Sequence, residues 1–326
     1  MEVFSYNYHK IIDDLTKKAL STINNTNFKN FESEGINFNQ DKINEIFNLY
    51  DKIIKGNSYT FYTATNFLPK EKRQAIRALY ALCRKSDNIV DSDRDSNSKE
   101  KDLNNFFLEL KKVYNNNISF DNPFIVSWDY ISKKYNIPFG FIEDLFEALR
   151  SDLTKTRYSN FEELAKYCYG VGSTVGLMSM YILGFNSLEA VPYAIKLGIG
   201  LQLTNILRDI KEDYNRNRIY LPKDEMDYFN VTEYQISKGI VNENWINFMK
   251  FQISRANRFY DEGILGINYL NKDSQLSVYI SSLLYKYILK EVENRNYDVF
   301  KDRVKVSNIN KVKIIFRALY SFLIKK

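Results

Sequence analysis

Two pairs of aspartates stand four residues apart: Asp87 and Asp91 in RKSDNIVDS, and Asp209 and Asp213 in LQLTNILRDIKED. At 3.6 residues per turn, a spacing of four rotates by about 40°, so each pair sets two carboxylates on one helix face. Like charges so placed are unfavourable unless a cation joins them. The next position in the first series is Asp95, not a basic residue. Hard oxygen ligands on two helices suit Mg²⁺, with Mn²⁺ as the alternative ion, and Mg²⁺ commonly bridges carboxylates to substrate phosphates. Its chemistry would be to hold a diphosphate and stabilise the leaving oxygens. Arg84 lies one turn before Asp87, and Arg208 directly precedes Asp209. A guanidinium matches phosphate oxygens in bidentate fashion. One DxxxD is commonplace on a solvated helix; the reading rests on two of them, each beside an apolar helix and an arginine.

Both pairs need helices to carry them. The segment PKEKRQAIRALYALCRKSDNIVD places Ile76, Leu79, Tyr80 and Cys83 on one stripe. Pro69 is expected in its first turn, where a missing N–H costs nothing. A second long helix is expected over about 192–213, nearly apolar through AIKLGIGLQLTNIL and therefore buried on most sides. Helical periodicity recurs in most other segments, broken by NNTN near 25, SDRDSNS near 95 and NNN near 116. Alternating strand patterns, internal repeats and Pro/Ser-rich linkers are missing. Twelve glycines and five prolines in 326 residues also suit long helices. The expectation is an all-α protein of one domain.

Composition narrows the function further. Hydrophobic residues at 44% allow a sizeable core, and charged residues at 26% argue against both a disordered and a membrane-spanning chain. The net charge of +6 is spread along the sequence, which speaks against nucleic acid and suits a polyanionic substrate or anionic lipid. Aromatic residues reach 15%, through residue bias or through the walls of a large apolar cavity; composition does not separate these. Cys83 and Cys168 lack CxxC spacing and read as reduced core residues of a cytoplasmic protein. His9 is the single histidine and has no partner for zinc or a catalytic triad. The opening MEVFSYNYHKIIDDL has no apolar run of a signal peptide, and no window approaches the roughly 18 apolar residues of a spanning helix. The apolar run 314–324, interrupted by Arg317 and flanked by lysines, is expected to pack as a final helix. The alternative is a basic amphipathic helix lying peripherally on a membrane.

Five segments resemble the phytoene and squalene synthase family. YALCRKSDNIVDS and QLTNILRDIKEDYNRNRIYLP carry most of the likeness, joined by NSYTF from Asn57, TRYSNFEELAKYCYGVGSTVG from Thr156 and YKYILKEVENRNYDVFKDRVKVS from Tyr285. The resemblance implies an isoprenoid-synthase helical bundle around a deep apolar cavity. Residues 51–326 would form its catalytic part; residues 1–50 match none of these segments and are expected to form a helical extension or lid of the same domain. It implies metal ligation by Asp87, Asp91, Asp209 and Asp213. It assigns diphosphate binding to Ser58, Thr60 and Phe61 of a flap and to Arg84, Arg208 and Arg303, the last after a one-residue adjustment. The reaction centre would be lined by Tyr80, Tyr167, Gln202, Asn205 and Tyr285. Many relatives carry Asp where this chain has Asn88 and Ser92, but the outer aspartates are intact.

The reaction so implied joins two allylic prenyl diphosphates 1′-1, through a cyclopropylcarbinyl diphosphate, to a linear polyene. Geranylgeranyl diphosphate and phytoene suit the second block best. Farnesyl diphosphate with squalene or dehydrosqualene is the alternative, and NADPH is needed only for squalene. A non-catalytic assembly factor of the same fold would have eroded aspartates and arginines, whereas Arg84, Arg208 and all four aspartates stand here. Terpene cyclases and chain-elongating prenyltransferases show DDxxD-type first motifs, whereas this chain has DNIVD.

Overall fold

The computed structural model describes residues 7–26, 40–115 and 122–324, and helix dominates them. In chain order come α1 (Tyr8–Asn25), α2 (Gln40–Asn57), α3 (Tyr59–Thr65), α4 (Lys70–Val90) and α5 (Ser96–Tyr114). Next, α6 (Pro123–Lys134), α7 (Gly140–Ser151) and α8 (Phe161–Cys168) lead through a π-helical turn, Tyr169–Ser173, into α9 (Thr174–Leu183) and α10 (Ala190–Asn215). Short helices α11 (Lys223–Tyr228) and α12 (Glu233–Lys238) precede α13 (Glu243–Gly263), the 3₁₀ helix Ile264–Tyr269, α14 (Lys272–Asn294) and α15 (Asn308–Ile324).

The polar breaks in the sequence work as caps. Asp95, inside SDRDSNS, accepts the Ser98 N–H at 3.0 Å and starts α5. Asn160 does the same for α8 through the Glu163 N–H, and Asn242 for α13 through the Trp245 N–H. Each satisfies a donor that the first helical turn leaves unpaired. The NNN break near 116 extends outside the described residues.

The axis of the bundle is α10. None of its residues from 190 to 210 is exposed, and it packs on α13, α14, α9, α1 and the π turn. Contact with the π turn requires glycine: a Cβ on Gly198 would lie 2.5 Å from the Ser173 Cα. That close approach seats the π turn directly against the middle of α10. At the N-terminal end, α1 buries Ile11, Ile12, Leu15, Ala19 and Ile23 as one stripe, and the Tyr8 hydroxyl donates to Glu262 at 3.0 Å. The helix α2 runs unbroken through residue 50 and packs on α3 and α4.

Three local expectations change. Pro69 is the residue before α4 rather than part of its first turn. Two short parallel strands, β1 (Arg157–Tyr158) and β2 (Ile219–Pro222), pair where none was expected. At two and four residues they are too short to show alternation, and β2 is buried along its length. Finally, α10 continues to Asn215, past the expected 213, but breaks its helical geometry at Asp209 (φ −106°, ψ 15°). Cys83 and Cys168 are both free thiols. Among the described residues, no helix is long and apolar enough to cross a membrane.

Candidate active site

The end of α4 and the second half of α10 converge on a polar cavity. Its walls include Asp87 and Asp91 from the first pair and Asp209 and Asp213 from the second, with Arg84, Arg208 and Arg303 among them. Gln202, Asn205 and Tyr167 line the same space. Asp91 is the C-cap of α4, its N–H bonded to the Asp87 carbonyl at 2.8 Å, so the pair stays on one face although the helix ends between them.

Within each pair the two carboxylates differ in partners. Asp91 accepts from Arg218 at 2.8 Å and lies 3.4 Å from Arg216. Asp209 accepts from the Arg208 Nε at 2.8 Å and from Arg303 at 2.9 and 3.0 Å. Burial alone would raise Asp209, but Arg208 and Arg303 outweigh it and hold its carboxyl below the usual range. Asp87 and Asp213 form no ion pair among the described residues. Burial and then the Asp91 charge push Asp87 up to about 7. Burial and then Asp209 push Asp213 up to about 8. Of the four motif carboxylates, therefore, two lack an ion-pair partner among the described residues and two are paired with arginine. Arg84 shows the reverse shortage: its Nε is buried without an acceptor. An anion beside a divalent cation would complete both deficits.

No group of three or more His, Cys, Asp or Glu among the described residues is arranged to hold a metal unaided. Mg²⁺ is usually held by one or two carboxylates plus substrate phosphates, a donor set that Asp87 and Asp213, facing the cavity without an ion pair, would fit.

Next along α10, sharing no lining residue with the polar cavity, lies an apolar tunnel. Leu201, Gly198, Leu197, Ala194, Tyr193 and Ala190 line it on successive turns, while Gln202 and Asn205 belong to the polar mouth. Phe61 of α3 lines the tunnel, and its ring lies 5.7 Å from that of Tyr80. Ser58, the N-cap of α3, sits 3.3 Å from the Tyr285 hydroxyl. Tyr80, Tyr285 and Ser58 line neither cavity: Tyr80 stands against Phe61, and Tyr285 against Ser58. Thr60, on the same short helix, lines neither cavity.

Three residues of the mouth were not singled out from sequence. Asp152 accepts from the Tyr167 hydroxyl at 2.7 Å and from the Tyr220 hydroxyl at 3.0 Å, and these two rings stack at 5.0 Å. Burial raises Asp152 to about 6, with the tyrosine hydrogen bonds and Arg218 pulling the other way. Arg218 precedes β2 and reaches back to Asp91. The β1–β2 pairing therefore has a purpose: it brings Arg218 and Tyr220 under the two aspartate motifs. The block RNRIYLP contains both residues, and its unusual density of Arg and Tyr beside the second pair was the available signal.

Paired acidic motifs at the neck of an apolar tunnel in a helical bundle define an isoprenoid-synthase type of site. The profile of squalene/phytoene synthases matches residues 54–310. The chain is 37% identical over 265 residues to the 15-cis-phytoene synthase of Synechococcus elongatus, covering 78% of this chain and 85% of that one. With the chloroplastic phytoene synthase 1 of Zea mays it shares 38% over 276 residues, 83% of this chain and 67% of that one. A dehydrosqualene synthase crystal structure with bound ligand superposes with a TM-score of 0.81 at 27% identity, covering 88% of this chain and 99% of that one. The chain belongs to the squalene/phytoene synthase family, and it is a prenyltransferase.

Proposed function

We propose that the enzyme condenses two molecules of geranylgeranyl diphosphate 1′-1 to phytoene. The observation that carries this reading is the combined length of polar mouth and apolar tunnel along α10, beside two incompletely neutralised aspartate pairs. Asn205 at the mouth and Ala190 at the far end are fifteen residues apart on α10, which is about 22 Å at 1.5 Å per residue. An extended isoprene unit, four bonds of about 1.5 Å in zigzag, spans about 5 Å, so a geranylgeranyl chain needs about 20 Å and a farnesyl chain about 15 Å. The homology to phytoene synthases supports the same choice. Farnesyl diphosphate and dehydrosqualene remain the second reading, favoured by the likeness to a dehydrosqualene synthase. NADPH enters only for squalene.

Mg²⁺, when bound, would sit with Asp87, Asp91, Asp209 and Asp213 and supply charge stabilisation for the departing diphosphate. The chain's own residues do the rest. Arg84, with its unpartnered Nε, takes a phosphate oxygen. Arg208 and Arg303, which donate to Asp209 at the mouth, stand where they would bind phosphate oxygens in bidentate fashion. Phe61 walls the tunnel from α3, a helix that Ser58 caps. The rings of Phe61 and Tyr80 face the allylic cation, and the apolar tunnel keeps water from it. The second substrate's double bond attacks this cation and loss of a proton closes the cyclopropane; a second ionisation opens the ring to a linear cation, and loss of a second proton, with released diphosphate as an available base, gives the polyene. Burial, followed by the Asp152 charge, raises Tyr167 far above the ordinary tyrosine range, so it orients rather than accepts the proton. Gln202 and Asn205, 3.4 Å apart, position the reacting carbons. Because the product is a hydrocarbon without a polar group, we place its handling at a membrane surface, with the protein peripheral.

The test is diphosphate release from geranylgeranyl diphosphate. It should require Mg²⁺, cease with EDTA and fall at least a thousandfold in Asp87→Asn and Asp213→Asn. Full turnover by either variant would remove the metal assignment.

A further inference from the structure

The outward face of α15 is apolar where a surface helix is normally polar. Ile309, Val312, Phe316, Tyr320 and Ile324 recur every three or four residues, and each is more than half exposed. Phe316 reaches 68% and Tyr320 69%. Ile314 and Ala318, on the opposite side, seat the helix on the body. Single exposed apolar residues are ordinary, but a continuous stripe calls for a partner. From Arg303 to Lys326 there are seven basic residues and no acidic one. Lys313 and Arg317 are exposed and lie along one border of the stripe. An apolar stripe edged by cations complements an anionic lipid surface.

The tunnel ends beside this face. A surface groove lined by Leu265, Lys272, Tyr279, Ser321 and Phe322 lies at the C-terminal end of α15. Ile267 lines both that groove and the tunnel, so one side chain of the 3₁₀ helix Ile264–Tyr269 divides them. Such helices have weaker hydrogen-bond geometry than α-helices. Leu265, on the same turn, is 59% exposed. An apolar product has a short path from tunnel to surface here, and that path is useful only if lipid waits outside.

We propose that α15, with Leu265 beside it, seats on an anionic bilayer and turns the far end of the tunnel toward lipid. The part played by the tunnel rests on the functional reading above, whereas docking is measured without substrate. The full chain should sediment with liposomes of phosphatidylcholine containing about one-third phosphatidylglycerol, far less with phosphatidylcholine alone, and less as salt rises. Phe316→Glu with Tyr320→Glu should weaken binding to both liposome types at least tenfold. Lys313→Gln with Arg317→Gln should weaken only anionic binding, at about fivefold per residue. Both double variants should keep wild-type diphosphate release in free solution. Absence of wild-type binding, or unchanged binding by the glutamate variant, would overturn the proposal. So would a glutamate variant that turns a dimer into a monomer by light scattering while liposome binding stays intact, since the stripe would then be a contact between copies. Lipid binding by a chain inert toward prenyl diphosphates would refute the tunnel's role and keep the docking.

Discussion

Ala194→Phe should convert the tunnel from a twenty-carbon to a fifteen-carbon gauge. Ala194 lines the tunnel eleven residues from Asn205, hence about 16 Å from the mouth along α10. A benzyl group there would stop a chain between its third and fourth isoprene units. The excluded unit has five carbons, and at about 0.8 kcal/mol per buried CH₂ its exposure forfeits about 4 kcal/mol, close to a thousandfold. The specificity constant for geranylgeranyl diphosphate should therefore fall by two to three orders of magnitude, while that for farnesyl diphosphate holds or rises. The assay is steady-state diphosphate release with the two substrates in parallel. Circular dichroism and thermal unfolding would bound the overpacking cost at about 1–3 kcal/mol. A folded variant that uses geranylgeranyl diphosphate as the wild type does would refute the tunnel as the gauge.

The charges of the mouth give a second set of outcomes. Asp213 keeps its proton to about 8 in the folded state, against about 4 for an ordinary aspartate. Between those values the folded chain binds more protons than the unfolded one, so metal-free stability falls as pH rises. Asp213→Asn should accordingly raise the metal-free melting temperature at pH 8.5 by a few degrees and abolish the further rise that Mg²⁺ with diphosphate gives the wild type. Asp152→Asn leaves one acceptor for two tyrosine hydroxyls; kcat should drop about a hundredfold with KM little changed, because Tyr167 loses its orientation. Glu262 joins α1 to the body through Tyr8, Lys196 and Arg258. Burial would raise its carboxyl, but Lys196, Arg258 and Tyr8 outweigh that and hold it at about 2. Glu262→Gln should lower the melting temperature by about 2 °C at pH 7. The folded value lies below the ordinary one, so that difference should shrink as pH falls from about 4.5 to 2.

What was legible in the sequence was local. Aspartates at a helical spacing on otherwise apolar segments announced themselves, because burying a charge needs a reason that neighbouring residues do not supply. The long apolar helix of α10 followed from the same periodicity, and the polar breaks followed from capping chemistry. Long-range pairings were not legible. Asp152 sits in SDLTKTR, a stretch as polar as any surface loop, and its partner Tyr220 is 68 positions away. Arg218 reaches Asp91 across 127 positions, and Arg303 reaches Asp209 across 94. Nothing in spacing reveals that one aspartate of each pair is held by arginine and the other is left free. The strands β1 and β2 escaped for a related reason: their role is to carry Arg218 and Tyr220 to the site, and four residues suffice for that. The C-terminal helix was half legible, since its pattern showed both an inward and an outward apolar face and only the packing told them apart.

The most direct test is the mass of the product. Purified protein with Mg²⁺ and geranylgeranyl diphosphate, without NADPH, should yield a forty-carbon hydrocarbon and release diphosphate. A thirty-carbon product from farnesyl diphosphate, with none from geranylgeranyl diphosphate, would contradict the tunnel length as the determinant of substrate. No product from either would contradict the assignment of the paired aspartates to prenyl condensation.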